Sequence, residues 1–223
     1  MWHILQQIPI CFSVLFLCTT LINGQNFVGS TAKLSVKVYF ESLCPDSLSF
    51  IRNQLYKNWQ DIAQYVDLQL IPFGKSASYE NGTRFTCQHG TLECKGNRMM
   101  SCVLQRTPNQ NLQVEYVNCF MNSYRNARID KDEFGQQCAA RIGIDFDDTY
   151  KKCYLTRKGT ELQLEAERET IDVKLKFVPT IVYNGVFSQQ LQDTSLNNFR
   201  NVVCDLIKEA FPEACKHTSV ISL

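Results

Sequence analysis

The chain has 223 residues, a formal net charge of +1, 44% hydrophobic residues and 20% charged residues. That balance gives no electrostatic footing for nucleic acid or for an anionic membrane surface. The hydrophobic content is enough for a sizeable core, and no internal repeat or low-complexity tract divides the chain.

Residues 8–22, "IPICFSVLFLCTTLI", form a short apolar run that ends at "NGQN". Its length and flanks suit the core of a secretory signal better than a membrane span, although the residues before it carry His3 and no Lys or Arg. The reading is a signal peptide over residues 1–24 and one domain over 25–223; a buried first helix or a signal anchor is the alternative. No later segment is long and apolar enough to span a bilayer, so no membrane span is expected after signal removal.

Residues 33–40, "KLSVKVYF", place apolar side chains at Leu34, Val36, Val38 and Phe40, a strand period. After Cys44 the period changes. Leu48, Ile51, Leu55, Trp59 and Ile62 mark one face of a helix, and Pro45 suits its first turn. "YVDLQLIPFG" alternates again at Val66, Leu68 and Leu70. Strand, helix and strand in this order predict a βαβ unit with a parallel strand pair.

Residues 74–170 read as a mainly helical insertion with little strand alternation. They hold Cys87, Cys94, Cys102, Cys119, Cys138 and Cys153. "NGT" at Asn81 is a glycosylation sequon in a polar loop. The run "ELQLEAERET", 161–170, reads as a solvated helix face, and the methionines of "RMMSC" as core or loop packing. Sheet-forming sequence returns over 171–211. "VPTIVYNGVFS" predicts strand, Asn-Gly turn and strand. Asp193 or Thr194 is a candidate cap for a last helix carrying Leu196, Phe199, Val203, Leu206 and Ile207.

The chain carries eleven cysteines. Cys11 and Cys18 fall in the leader, which leaves Cys204, Cys215 and Cys44 besides the six of the insertion. That density points to an oxidising compartment. Cys44, in "FESLCPDSLSF", stands where a strand hands over to a helix. Backbone N–H groups at that end favour a thiolate, whereas the nearby Asp46 carboxylate opposes one. Cys44 is therefore a candidate nucleophile, the alternative being half of a structural disulfide. A dithiol site would carry its second cysteine at position 47, which is Ser47. Pro179 begins the late strand and is a candidate cis-proline beside Cys44. No Gly-rich phosphate loop and no serine-nucleophile elbow is found.

"CQHGTLECKGNRMMSC", Cys87 to Cys102, resembles the signature of the gamma-interferon-inducible lysosomal thiol reductase (GILT) family at every fixed position. The resemblance extends to Cys44-Pro45, to Cys119, Cys138 and Cys153, to "VPTIVYNG", and to Cys204 and Cys215. It implies an α/β, thioredoxin-like fold with a disulfide-rich, mainly helical insertion. It also implies a thiol-disulfide oxidoreductase acting on protein disulfides at acidic pH, in the endolysosomal or extracellular space, in host defence or protein degradation. With Cys44 set aside, eight cysteines remain, which suits four structural disulfides and one free thiol. Cys204 and Cys215 are favoured as local partners. Within the signature, His89 is either a proton carrier or a structural residue of a disulfide-rich loop. A zinc reading of "CQHGTLEC" gives way to disulfides in an oxidising compartment.

Ser47 cannot resolve a mixed disulfide, though its hydroxyl could bond Cys44. Cys44 then acts as a monothiol with an external small thiol as reductant and no bound cofactor or metal, or captures partners as mixed disulfides, or has lost redox activity and leaves a binding protein. The expected partners are disulfide-containing proteins and no nucleic acid, with a monomer as default.

Overall fold

The computed structural model describes residues 32–124 and 135–215; the expected signal peptide over 1–24 lies outside them. Strand β1 (Leu34–Phe40) runs through the middle of a three-stranded sheet. Its partners are β2 (Val66–Pro72), parallel, and β5 (Thr180–Tyr183), antiparallel, with Val38 opposite both Leu70 and Ile181. The βαβ expectation is thereby met. Between β1 and β2 the chain is helical from Pro45 onward, ending in a 3-10 turn at Ala63–Tyr65 after three longer stretches. These are α1 (Pro45–Phe50), a π-helical stretch (Ile51–Tyr56) and α2 (Lys57–Ile62).

Strand alternation sends Leu34, Val36, Val38 and Phe40 to one face of the sheet. There they join Phe50, Ile51, Leu55, Trp59 and Ile62 in the main core. Helices α3 (Thr91–Arg106), α4 (Gln110–Tyr124) and α8 (Gln189–Ile207) complete that core with Met100, Val103, Val117, Phe120, Phe199 and Val203. Phe50 meets Phe199 edge to face, with ring centroids 5.3 Å apart. The other face of the sheet shows Tyr39, Ile71 and Val182, which pack with Phe73 and with Ala166 of α7 (Arg157–Val173). Two short helices, α5 (Gln136–Arg141) and α6 (Phe146–Thr149), lie between α4 and α7 in the sequence.

Four disulfides join Cys87 to Cys94, Cys102 to Cys153, Cys119 to Cys138 and Cys204 to Cys215. Three of them lie wholly within the insertion, and Cys44 is the free cysteine among the described residues. Closing loops in this way limits the unfolded chain and stabilises a region with little sheet of its own. Among the described residues no helix is long and apolar enough to cross a membrane.

The structure corrects four local expectations. The hairpin predicted after Pro179 keeps its Asn184–Gly185 turn, with both residues at positive φ, but its second strand shrinks to one bridge between Tyr183 and Val186. Val186 is 67% exposed and has no sheet face to cover, and Ser188 then starts a helix. The cap of α8 is this Ser188, whose side chain accepts from the Leu191 N–H; Asp193 and Thr194 lie within the helix, which kinks at Asn198. The insertion contains a small hairpin, β3 (Ala77–Tyr79) and β4 (Arg84–Thr86), that sequence periodicity did not reveal. Three-residue strands are too short to show a period. Asn81 is exposed at its turn. The acidic run on α7 is not a plain solvated face. Glu169 pairs with Lys37 at 2.7 Å, and Glu167 accepts the Ser78 N–H at 2.7 Å.

Candidate functional site

Cys44 ends the turn that follows β1, with its N–H donating to the Glu41 carbonyl at 3.3 Å. It caps α1 from an extended conformation, and its Sγ accepts the Ser47 N–H at 3.4 Å. A side-chain acceptor there satisfies one of the helix-end N–H groups that have no intrahelical partner. Pro45 and Asp46 are exposed, so the Asp46 carboxylate faces water. Cys44 itself is 5% exposed.

Across from it lies the loop 177–179. The Val178–Pro179 peptide bond is cis, and the Cys44 thiol donates to the Val178 carbonyl at 3.8 Å. Two residues more than 130 positions apart in the chain thus meet because β1 and β5 are neighbours. The loop is fixed from α8 by Gln192, which is wholly buried. Its amide donates to the Pro179 carbonyl at 2.9 Å, and its Oε1 accepts the Ile181 N–H at 2.8 Å. One neutral side chain thereby satisfies a buried donor and a buried acceptor.

Ser47 occupies the position where a second thiol would stand. Its side chain is buried, and the bond from its hydroxyl to Cys44 suggested by the sequence is not formed. The hydroxyl accepts the Glu41 N–H at 3.5 Å, and the sulfur is contacted by the Ser47 backbone instead.

The other wall of the site is built by the signature. The disulfide Cys87–Cys94 ties the loop 87–90 to the first turn of α3. Asn97 on α3 accepts the Ser42 N–H at 2.9 Å, and Ser42 donates its hydroxyl to the Glu93 carbonyl at 3.0 Å. Gly96 lets these groups approach, since a Cβ there would fall on Ser42 and Tyr124. His89 Nδ1 lies 2.6 Å from Glu93 Oε2 and 3.4 Å from Glu41 Oε2. Both carboxylates are buried and the imidazole is 33% exposed. Burial pushes the Glu41 carboxyl above its ordinary range; the Lys75 N–H opposes this, and the neighbouring Glu93 adds to it.

The signature is therefore more than a stapled loop. It holds residues 41–42, in the turn that ends at Cys44. Glu41, Glu93, Asn97 and Gln192 were missed as site residues by sequence reasoning. A carboxylate three residues before the cysteine, directly after a strand whose last three residues are buried, was the one legible signal. Cys44 and Pro179 come together; Cys102, Cys119, Cys138, Cys153, Cys204 and Cys215 serve as disulfide partners in the scaffold.

The family model described as gamma interferon inducible lysosomal thiol reductase (GILT) matches residues 35–142. The chain is 33% identical over 200 residues to GILT-like protein 1 of Drosophila melanogaster, covering 83% of this chain and 80% of that protein. It is 34% identical over 187 residues to the gamma-interferon-inducible lysosomal thiol reductase-like protein of Anopheles gambiae, covering 78% and 76%. Among solved structures, a variant of DsbA from Pseudomonas aeruginosa matches with a TM-score of 0.54 and 14% identity, covering 83% of this chain and 91% of that one. That likeness shows the fold alone, which is thioredoxin-like with a disulfide-rich helical insertion.

Proposed function

The chain belongs to the gamma-interferon-inducible lysosomal thiol reductase family, and from that premise we propose that it reduces protein disulfides through Cys44 acting as a single thiol. The family and fold support a thiol reductase role in general. The finer reading rests on one observation: Cys44 sits against the cis-proline loop while every other cysteine among the described residues is paired.

The chemistry then runs as follows. The Cys44 thiolate attacks one sulfur of a substrate disulfide, and the other sulfur leaves and takes up a proton. The protein now holds substrate as a mixed disulfide. An external small thiol, such as glutathione or free cysteine, attacks Cys44 Sγ and releases the reduced substrate. A second molecule attacks the resulting adduct, which regenerates Cys44 and yields the oxidised small-thiol disulfide. One substrate disulfide thus consumes two small thiols. The Ser47 N–H is placed to stabilise negative charge on Sγ at each stage where the thiolate forms.

Substrates in this reading are polypeptides whose disulfide can be pressed against the 177–179 loop, because so little of Cys44 faces solvent. The disulfide density and the exposed sequon at Asn81 support an endolysosomal or extracellular setting, with work in host defence or protein degradation. Turnover of a denatured disulfide-bonded protein at acidic pH, with added small thiol, tests the proposal. A rate no higher than that of the Cys44→Ser protein would remove the catalytic reading. A stable Cys44-linked partner on non-reducing gels, without turnover, would replace it with capture.

A further inference from the structure

Glu41, His89 and Glu93 bring three ligand atoms within 4.8 Å of one another, one from each residue. We propose that these side chains form a divalent-metal site, suited to zinc, that joins the end of β1 to the start of α3 directly beneath the Cys44 turn.

The first argument is charge. Both carboxylates are wholly buried, and among the described residues the one basic side chain paired with them is a single imidazole. Buried charges are normally paired or bound to a metal. With both carboxylates ionised, one imidazolium leaves a negative charge unbalanced, whereas a divalent ion held by a neutral imidazole balances both.

The second argument is preorganisation. Each carboxylate has one oxygen held by a backbone N–H. Glu41 Oε1 accepts from Lys75 at 2.6 Å, and Glu93 Oε1 accepts from His89 at 2.9 Å. The remaining oxygens, Glu41 Oε2 and Glu93 Oε2, both turn towards His89 Nδ1. Glu41 Oε2 is buried and receives no hydrogen bond. Outer hydrogen bonds of this kind fix ligand orientation in metal sites. Gly74, at φ +60, lets the chain pass over the Glu41 side chain, where a Cβ would collide with it.

The third argument is donor chemistry. Tetrahedral zinc with bonds of about 2.1 Å separates its ligand atoms by roughly 3.4 Å. The His89–Glu41 separation already has that value, at 3.4 Å. The His89–Glu93 contact at 2.6 Å must open by less than an ångström, and the partly exposed imidazole can move that far. One imidazole and two carboxylates leave a fourth position for water. Cys87 and Cys94 cannot serve as ligands, because they are bonded to each other.

The test uses the disulfide-intact protein carrying Cys44→Ser, stripped with a chelator and dialysed against zinc chloride at about pH 7, since metal binding competes with protons for its ligands. The expected result is about one zinc retained per chain, with affinity lowered at least tenfold in His89→Gln and in Glu41→Gln. His89→Gln alters a partly exposed side chain and is the variant least exposed to a folding defect. Loading the disulfide-intact protein that keeps Cys44 with cobalt gives an independent readout that needs no ligand variant and shows whether the ion sits on the Cys44 thiolate instead. A spectrum of nitrogen and oxygen ligands, without a thiolate charge-transfer band, supports the site. Failure to retain zinc, zinc bound undiminished by His89→Gln, or a thiolate band would overturn it.

Discussion

The two loops that flank Cys44 are held by opposite means. The cis-proline loop is fixed by Gln192, a neutral amide that cannot titrate. The 41–44 turn is fixed by Asn97, Glu93, His89 and Glu41, a group that includes two buried carboxylates. One wall therefore rests on a group that does not titrate, while the other includes groups that do. The contrast predicts one side of the site that is insensitive to pH and one side that responds to it.

Changes at the two walls should separate these behaviours. The largest effect is expected from Ser47→Cys, which restores a second thiol within the turn. Resolution then becomes intramolecular, and turnover with limiting small thiol should rise by roughly tenfold or more. An unchanged rate would mean that the 41–47 turn cannot bring two sulfurs together.

On the neutral wall, Gln192→Ala leaves the Ile181 N–H and the Pro179 carbonyl buried without partners. A loss of about 2–4 kcal/mol is expected, equal at acidic and neutral pH, by denaturant unfolding. A pH-dependent loss would break the comparison. On the signature wall, Asn97→Ala should cost about 1–3 kcal/mol by orphaning the Ser42 N–H. It should also lower turnover more than Gln192→Ala does at equal residual stability, if the 41–44 turn is what positions Cys44.

Glu41 carries the titratable part of the contrast. Its carboxyl is raised above 4.5 mainly by burial. A raised carboxyl contributes stability that is fully present below its unfolded value and is lost as pH rises through its folded value. In chelator-treated protein, stability should therefore fall as pH rises above about 4.5, and Glu41→Gln should flatten that slope. A slope unchanged by the substitution would assign the pH dependence elsewhere. The smallest effect is expected at Asn81, exposed at the turn of the β3–β4 hairpin. Asn81→Gln should change the melting stability of unglycosylated protein by under about 0.5 kcal/mol.

Much of the frame was legible beforehand, and the pattern of success has a physical cause. β1 and the helix after Cys44 announce themselves because one face of each is buried, and burial imposes a period of two or of three to four on the sequence. The insertion was readable as helical and disulfide-rich, but the β3–β4 hairpin was not. Ser188 was passed over as a cap because Asp193 and Thr194 are equally good cap residues by type. The choice between them lies in where β5 releases the chain.

What the sequence determined by itself is the order of elements, the free thiol left by odd cysteine number, the missing second thiol at position 47, and the family. These are written in local periods, counts and a gapless motif. Only the tertiary structure decided that the signature supports the Cys44 turn, that Gln192 secures the cis-proline loop, and that the Ser47 hydroxyl faces Glu41 rather than sulfur. Those arrangements depend on hydrogen bonds and buried charges between segments distant in the chain. Such contacts impose no period on either segment, so they exist for a reader only once the chain has closed.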